Sequence, residues 1–130
     1  MSLLDLCFGK PATVGLQATA AEAIRVMLRG DVGAVAVLDG EGEVVGIFTE
    51  RDVMKKLALS MRDPESVLVA EIMTSPVMKV GPETSEEEAI SMMLERRFRH
   101  LPICDPQGKI LGVLSIRNML EGRLKAMKPK

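Results

Sequence analysis

Gly46-Ile47-Phe48-Thr49-Glu50-Arg51-Asp52 and Gly112-Val113-Leu114-Ser115-Ile116-Arg117-Asn118 carry one pattern twice, 66 residues apart. Each is a glycine inside an apolar run, then a hydroxyl, then an arginine and an Asp or Asn. Glycine in a strand lets another group approach the backbone closely. The hydroxyl followed three residues later by Asp or Asn is a helix N-cap signal. Worked outward at the same offset, Val14 to Leu57 lies opposite Val80 to Arg123 without a gap. Identities fall at Gly15/Gly81, Glu22/Glu88, Met27/Met93, Asp39/Asp105, Gly42/Gly108 and Arg51/Arg117, among others. Matched turns and helix faces in one ungapped register mark an internal duplication.

Each copy reads as strand, helix, strand, strand, helix. A first strand ends near Val14, with Val77 to Val80 as its counterpart. Thr19 and Ser85 can cap the next helices, and Ser85 with Glu88 has capping-box spacing. Ile24, Met27 and Leu28, like Ile90, Met93 and Leu94, are expected on the buried helix face. Ala34 to Leu38 and Leu101 to Cys104 are the central strands. Asp39-Gly40-Glu41-Gly42 and Asp105-Pro106-Gln107-Gly108 are hairpin turns. Val44 to Phe48 and Ile110 to Leu114 return, and the last helices begin at Thr49 and Ser115. This predicts an α+β fold (an α/β mixture of strands and helices) of two βαββα repeats, residues 1–62 and 67–127, joined by a polar linker at 63–66. A unit of roughly 60 residues buries too little surface alone, so the repeats should pack as one pseudo-two-fold body.

Composition narrows the function. The 130 residues are 47% apolar and 27% charged, enough for a core and ordinary for a globule. Seventeen basic against eighteen acidic residues give a net charge of −1, which provides no field for nucleic acid or acidic membranes. No apolar run approaches the roughly 20 residues of a membrane span. The first residues lack a secretory leader's basic and apolar regions, and the two cysteines lie far apart, so a cytoplasmic location with free thiols is expected. Without Trp or Tyr, and with three Phe, aromatic platforms for single-stranded nucleic acid are absent.

Thr49 with Asp52 and Ser115 with Asn118 admit two readings. They can cap their own helices, or the carboxylate can accept vicinal hydroxyls of a ribose while hydroxyl and backbone N–H groups hold sugar or phosphate oxygens. Arg96, Arg97, Arg99 and His100 form a basic cluster where the first copy has Gly30, Asp31, Gly33 and Ala34. His100, Cys104 and Asp105 are the only grouping suggesting a nucleophile and base, but His100 and Cys104 stand roughly 13 Å apart along a strand. An enzyme built on Cys104 and His100 is the disfavoured alternative, and one His with two distant Cys supplies too few ligands for a metal.

The duplicated unit resembles a tandem pair of cystathionine-β-synthase-type (CBS) domains, a Bateman module. The resemblance rests on Gly46 to Asp52, the lead-in Ile72-Met73-Thr74-Ser75-Pro76-Val77 and the run Arg99-His100-Leu101-Pro102-Ile103-Cys104-Asp105, and spans Leu3 to Met127. It implies a non-catalytic, energy-sensing regulatory module with no cofactor. Such a module binds an adenosine-containing ligand (AMP, ADP or ATP, with S-adenosylmethionine or NAD as alternatives) between the repeats and signals to a regulated protein. The family's ribose-binding Asp falls on Asp52 and its hydroxyl partner on Thr49, with Asn118 and Ser115 in the second copy. Arg99 and His100 fall at phosphate-contacting positions, and Gly33, Ala34, Arg51 and Arg117 line the cleft. The intact carboxylate makes the Thr49 and Asp52 cleft the expected principal one. A ligand-free interaction module is the alternative. Apolar rows at Met54, Ala58 and Met61 and at Leu120, Leu124 and Met127 predict a homodimer through the last helices.

Overall fold

The computed structural model describes residues 2–7 and 9–127. The element order is α1 (Leu3–Leu6), β1 (Thr13–Gly15), α2 (Ala20–Gly30), β2 (Ala34–Leu38), β3 (Val44–Thr49) and α3 (Glu50–Asp52), which continues as a π-helical stretch over Val53–Ala58. The second half follows with α4 (Val69–Ile72), α5 (Glu86–Arg96), β4 (His100–Cys104), β5 (Ile110–Ser115) and α6 (Ile116–Met127). In the first repeat β1 pairs parallel with β2, and β2 pairs antiparallel with β3. In the second, β4 pairs antiparallel with β5.

The paired turns and caps explain the repeated residues. Asp39 Oδ1 accepts the amides of Glu41 and Glu43, and Asp105 Oδ1 accepts those of Gln107 and Lys109, all at 2.9 Å. Gly42 and Gly108 close these turns at φ of 82° and 83°, where a side chain would be strained. Thr19 and Ser85 accept the amides of Glu22 and Glu88, each at 3.1 Å, and so start α2 and α5.

The first strand of the second repeat does not form as expected. It shrinks to a single parallel bridge between Val80 and Ile103. Proline is the cause. In the first repeat Ala36 N–H donates to the Ala12 carbonyl at 3.0 Å. The equivalent of Ala36 is Pro102, which has no N–H, and Pro82 removes another donor just after the bridge.

The helix faces also need correction at Leu28 and Leu94. Both are exposed, at 75% and 66%, because α2 and α5 bury Ala20, Ala23 and Met27 and, equivalently, Ala89 and Met93. A residue one step beyond Met27 or Met93 is rotated about 100° away, toward solvent.

The short helices α1 and α4, absent from the sequence reading, exchange between repeats. Leu3 and Leu6 join the core of the second repeat with Ala89, Met93, Leu101, Ile103, Leu114 and Met119. Val67, Val69 and Ile72 join that of the first with Val35, Val37, Phe48 and Leu57. The strand glycines make room for this exchange. A Cβ at Gly46 would meet Met73 Sδ at 2.4 Å, and one at Gly112 would meet Cys7 Sγ and Leu4 Cδ2 at 3.2 Å. Between the sheets Ala36, Val44 and Cys104 form a smaller shared core.

Candidate functional site

The two copies differ most where their central strands begin. Gly33 and Ala34 line one cavity with Arg99 and His100 of the other copy. A Cβ at Gly33 would meet Glu50 Oε1 at 2.7 Å and His100 Cε1 at 3.4 Å, so the bare glycine admits both side chains. The start of α3 is fixed there because Glu50 N–H donates to the Gly33 carbonyl at 3.0 Å. The matching bond in the second copy, Ile116 N–H to the Arg99 carbonyl at 2.9 Å, holds the start of α6.

These elements border a cavity of about 720 Å³, a size suited to a small organic ligand. Of the residues expected at a site, the structure brings Gly33, Ala34, Arg99, His100, Ser115, Arg117 and Asn118 to it. Sequence reasoning missed Lys10, Asp31, Glu50 and Glu121, which also line it. Ser115 Oγ accepts the Asn118 amide at 3.0 Å, and Asn118 Oδ1 accepts the Ser115 amide at 3.1 Å. This reciprocal box uses the Asn118 oxygen and presents the segment to the cavity. Arg117 Nε is paired with Glu121 at 2.8 Å.

Thr49, Arg51 and Asp52 are not among the residues lining this cavity. Asp52 is buried at 6% exposure, and its carboxylate is occupied from within the chain. Oδ2 accepts the Thr49 amide at 3.0 Å and the Thr49 hydroxyl at 3.3 Å, while Oδ1 meets Lys56 Nζ at 3.1 Å and the Thr74 hydroxyl at 3.4 Å. Thr49 and Asp52, expected to form the principal cleft, thus stand outside the lining of this cavity, which lies on the Ser115 and Asn118 side. The ion-pair partner of Asp52 is visible in the sequence. Lys56 follows Asp52 by four residues, the spacing of a helical ion pair, whereas Asn118 has Gly122 at that place. Arg51 instead donates from Nη1 to the Arg97 carbonyl at 3.4 Å, across the repeats.

The catalytic alternative gains nothing from the geometry. His100 and Cys104 occupy opposite ends of β4. Cys104 is buried, and burial pushes its thiol pKa up. Cys7 touches the cavity, but burial raises its thiol to about 11, far from a reactive thiolate.

Burial holds His100 below its ordinary pKa of 6.5, with the Glu50 carboxylate opposing and Arg99 reinforcing the effect. The folded state thus binds fewer protons than the unfolded chain just below that value. The His100 contribution to stability should be complete above pH 6.5 and be lost as pH falls from there through the lower folded value. Urea unfolding at several pH values should show that decline, and His100→Gln should flatten it. A wild-type slope unchanged by the substitution would contradict the assignment.

Comparison with known proteins agrees with this architecture. The CBS domain family model matches residues 5–59 and again 69–125. An uncharacterised 17.7 kDa protein of Acidianus ambivalens is 42% identical over 106 residues, 82% of this chain, and the chain spans 63% of that protein's length. A CBS-domain protein of Burkholderia ambifaria has a structure superposing at a TM-score of 0.87, with 32% identity, 100% of this chain and 98% of its own covered. A hexameric CBS-CP12 protein from bloom-forming cyanobacteria superposes at 0.86, with 26% identity, 100% of this chain and 72% of its own. CBS-domain pairs are generally regulatory, non-catalytic modules. Two family matches, the duplicated strand glycines and the caps that follow them place this chain in the CBS-domain family, as a tandem pair.

Proposed function

We propose that the chain is a cytoplasmic regulatory module that binds an adenosine-containing nucleotide in the cavity between its repeats and conveys occupancy to a partner protein. The observation that carries this reading is the composition of the cavity. It joins a ribose-compatible pair, Ser115 and Asn118, to phosphate-compatible Lys10 and Arg99, with elements of both repeats in its wall. The Asn118 amide nitrogen and the Ser115 hydroxyl can bond ribose oxygens, and a guanidinium offers a phosphate its fixed fork of donors. A ligand there would touch both repeats and so favour one relative placement of them, which is the means of signalling.

A thermal-shift screen against adenosine, AMP, ADP, ATP, S-adenosylmethionine and NAD, with GMP as the base control, tests the reading. Saturating adenosine ligand should raise the melting temperature. No shift with any of them would leave the ligand-free interaction module as the better account.

The apolar rows on the last helices support self-association. Met54, Met61, Leu120, Leu124 and Met127 are 64%, 90%, 61%, 59% and 77% exposed. Methionine adapts to an imperfectly shaped partner surface, and a closed two-fold pair would cover both rows. Light scattering after gel filtration should give twice the chain mass, and Met54→Glu with Leu120→Glu should return the monomer. A monomer mass for the unsubstituted protein at micromolar concentration would refute the pairing.

A further inference from the structure

We propose that Glu50 sets the number of phosphates the cavity accepts, making it a site for a nucleoside monophosphate rather than a di- or triphosphate. The inference rests on the nucleotide reading above and concerns the selectivity of that same cavity.

The charges facing the cavity do not favour a long phosphate chain. Lys10, Arg99 and Arg117 are matched in number by Asp31, Glu50 and Glu121. Arg117 and Glu121 already pair with one another at 2.8 Å, so Lys10 and Arg99 are the cations left to meet a ligand. A phosphate monoester carries about −1.5 to −2 charge at pH 7, which these two can match. Each further phosphate adds negative charge to a cavity whose other charged walls include Asp31 and Glu50.

Glu50 is the better placed of the two acids. As the first residue of α3 it is anchored by its amide to Gly33, and its carboxylate occupies the space a side chain at Gly33 would take, next to His100. It therefore stands beside the basic pair expected to hold phosphate, Arg99 and His100. Its counterpart in the second repeat is Ile116, which is uncharged, so the duplicated pattern does not require an acid at this step. A first-turn Glu does suit the helix dipole. That role would alter stability, but it would not change the ratio of affinities for AMP and ATP.

Calorimetric titration with adenosine, AMP, ADP and ATP, without divalent cation, tests the proposal. The unsubstituted chain should bind AMP about tenfold more tightly than ATP, with ADP between. Glu50→Gln should narrow that ratio to about threefold or less, whatever its effect on adenosine affinity. The unsubstituted protein gives a second arm: Mg²⁺, which neutralises part of the polyphosphate chain, should raise ATP affinity and leave that for AMP nearly unchanged. ATP binding as tightly as AMP, or a ratio that neither Glu50→Gln nor Mg²⁺ moves, would overturn the proposal and leave nucleotide binding intact. Failure of all four ligands to bind would overturn both.

Discussion

Leu3→Ala should lower the unfolding free energy by about 2–5 kcal/mol, and the loss should fall on the second repeat although Leu3 belongs to the first. Leu3 is 1% exposed and packs among Ala89, Met93, Leu101, Ile103, Leu114 and Met119. Truncation removes apolar burial and leaves a cavity that β5 and α6, the walls against α1, close only in part. Gly122 shows how tight that wall is, since a Cβ there would meet Leu6 Cδ2 at 2.4 Å. Denaturant unfolding gives the total loss, and native-state hydrogen exchange locates it. Protection should fall first in α5, β4 and β5. A loss under about 1 kcal/mol would mean that α1 is an ornament on the fold rather than part of its second core.

Arg99→Ala should weaken AMP binding by about tenfold to a hundredfold and leave adenosine affinity nearly unchanged. A charge-assisted hydrogen bond to phosphate contributes about 1.5–3 kcal/mol, which converts to that range. Arg99 lines the cavity, where its side chain is the phosphate donor proposed above, while its main-chain carbonyl holds the start of α6. The substitution deletes the first function and preserves the second. Unsubstituted protein should also lose AMP affinity with added salt, and the variant should lose less. Equal weakening of adenosine and AMP would assign Arg99 to folding rather than to phosphate recognition.

The repeat, the order of elements in the first copy and the capped helices were legible because each rests on local chemistry. Asp39 and Asp105 tie their own turns, and Thr19 and Ser85 cap their own helices. The crossing of α1 and α4 was not legible. Each has four residues, too few to show a helical period, and each finds its core in the other repeat. The cavity was half legible. The contrast of Gly33 and Ala34 with Arg99 and His100 picked out residues that line it together. Asp52 reads in the sequence as a carboxylate open to a ribose, whereas in the fold Lys56 and Thr74 contact it. Thr74 lies 22 residues away, so only the folded chain brings it there. Pro102 shortened a strand for a reason visible in the sequence, the missing N–H, but only once its pairing partner was known.

The central claim is that nucleotide enters the cavity bordered by Gly33, Arg99 and Asn118, and amide chemical-shift mapping of labelled protein during an AMP titration tests it most directly. The account predicts that the largest shifts fall on Gly33, Ala34, Glu50 and Arg99 and on Ser115 to Asn118, with Thr49, Arg51 and Asp52 moving less. Largest shifts at Thr49, Arg51 and Asp52, or none anywhere at millimolar AMP, would contradict it.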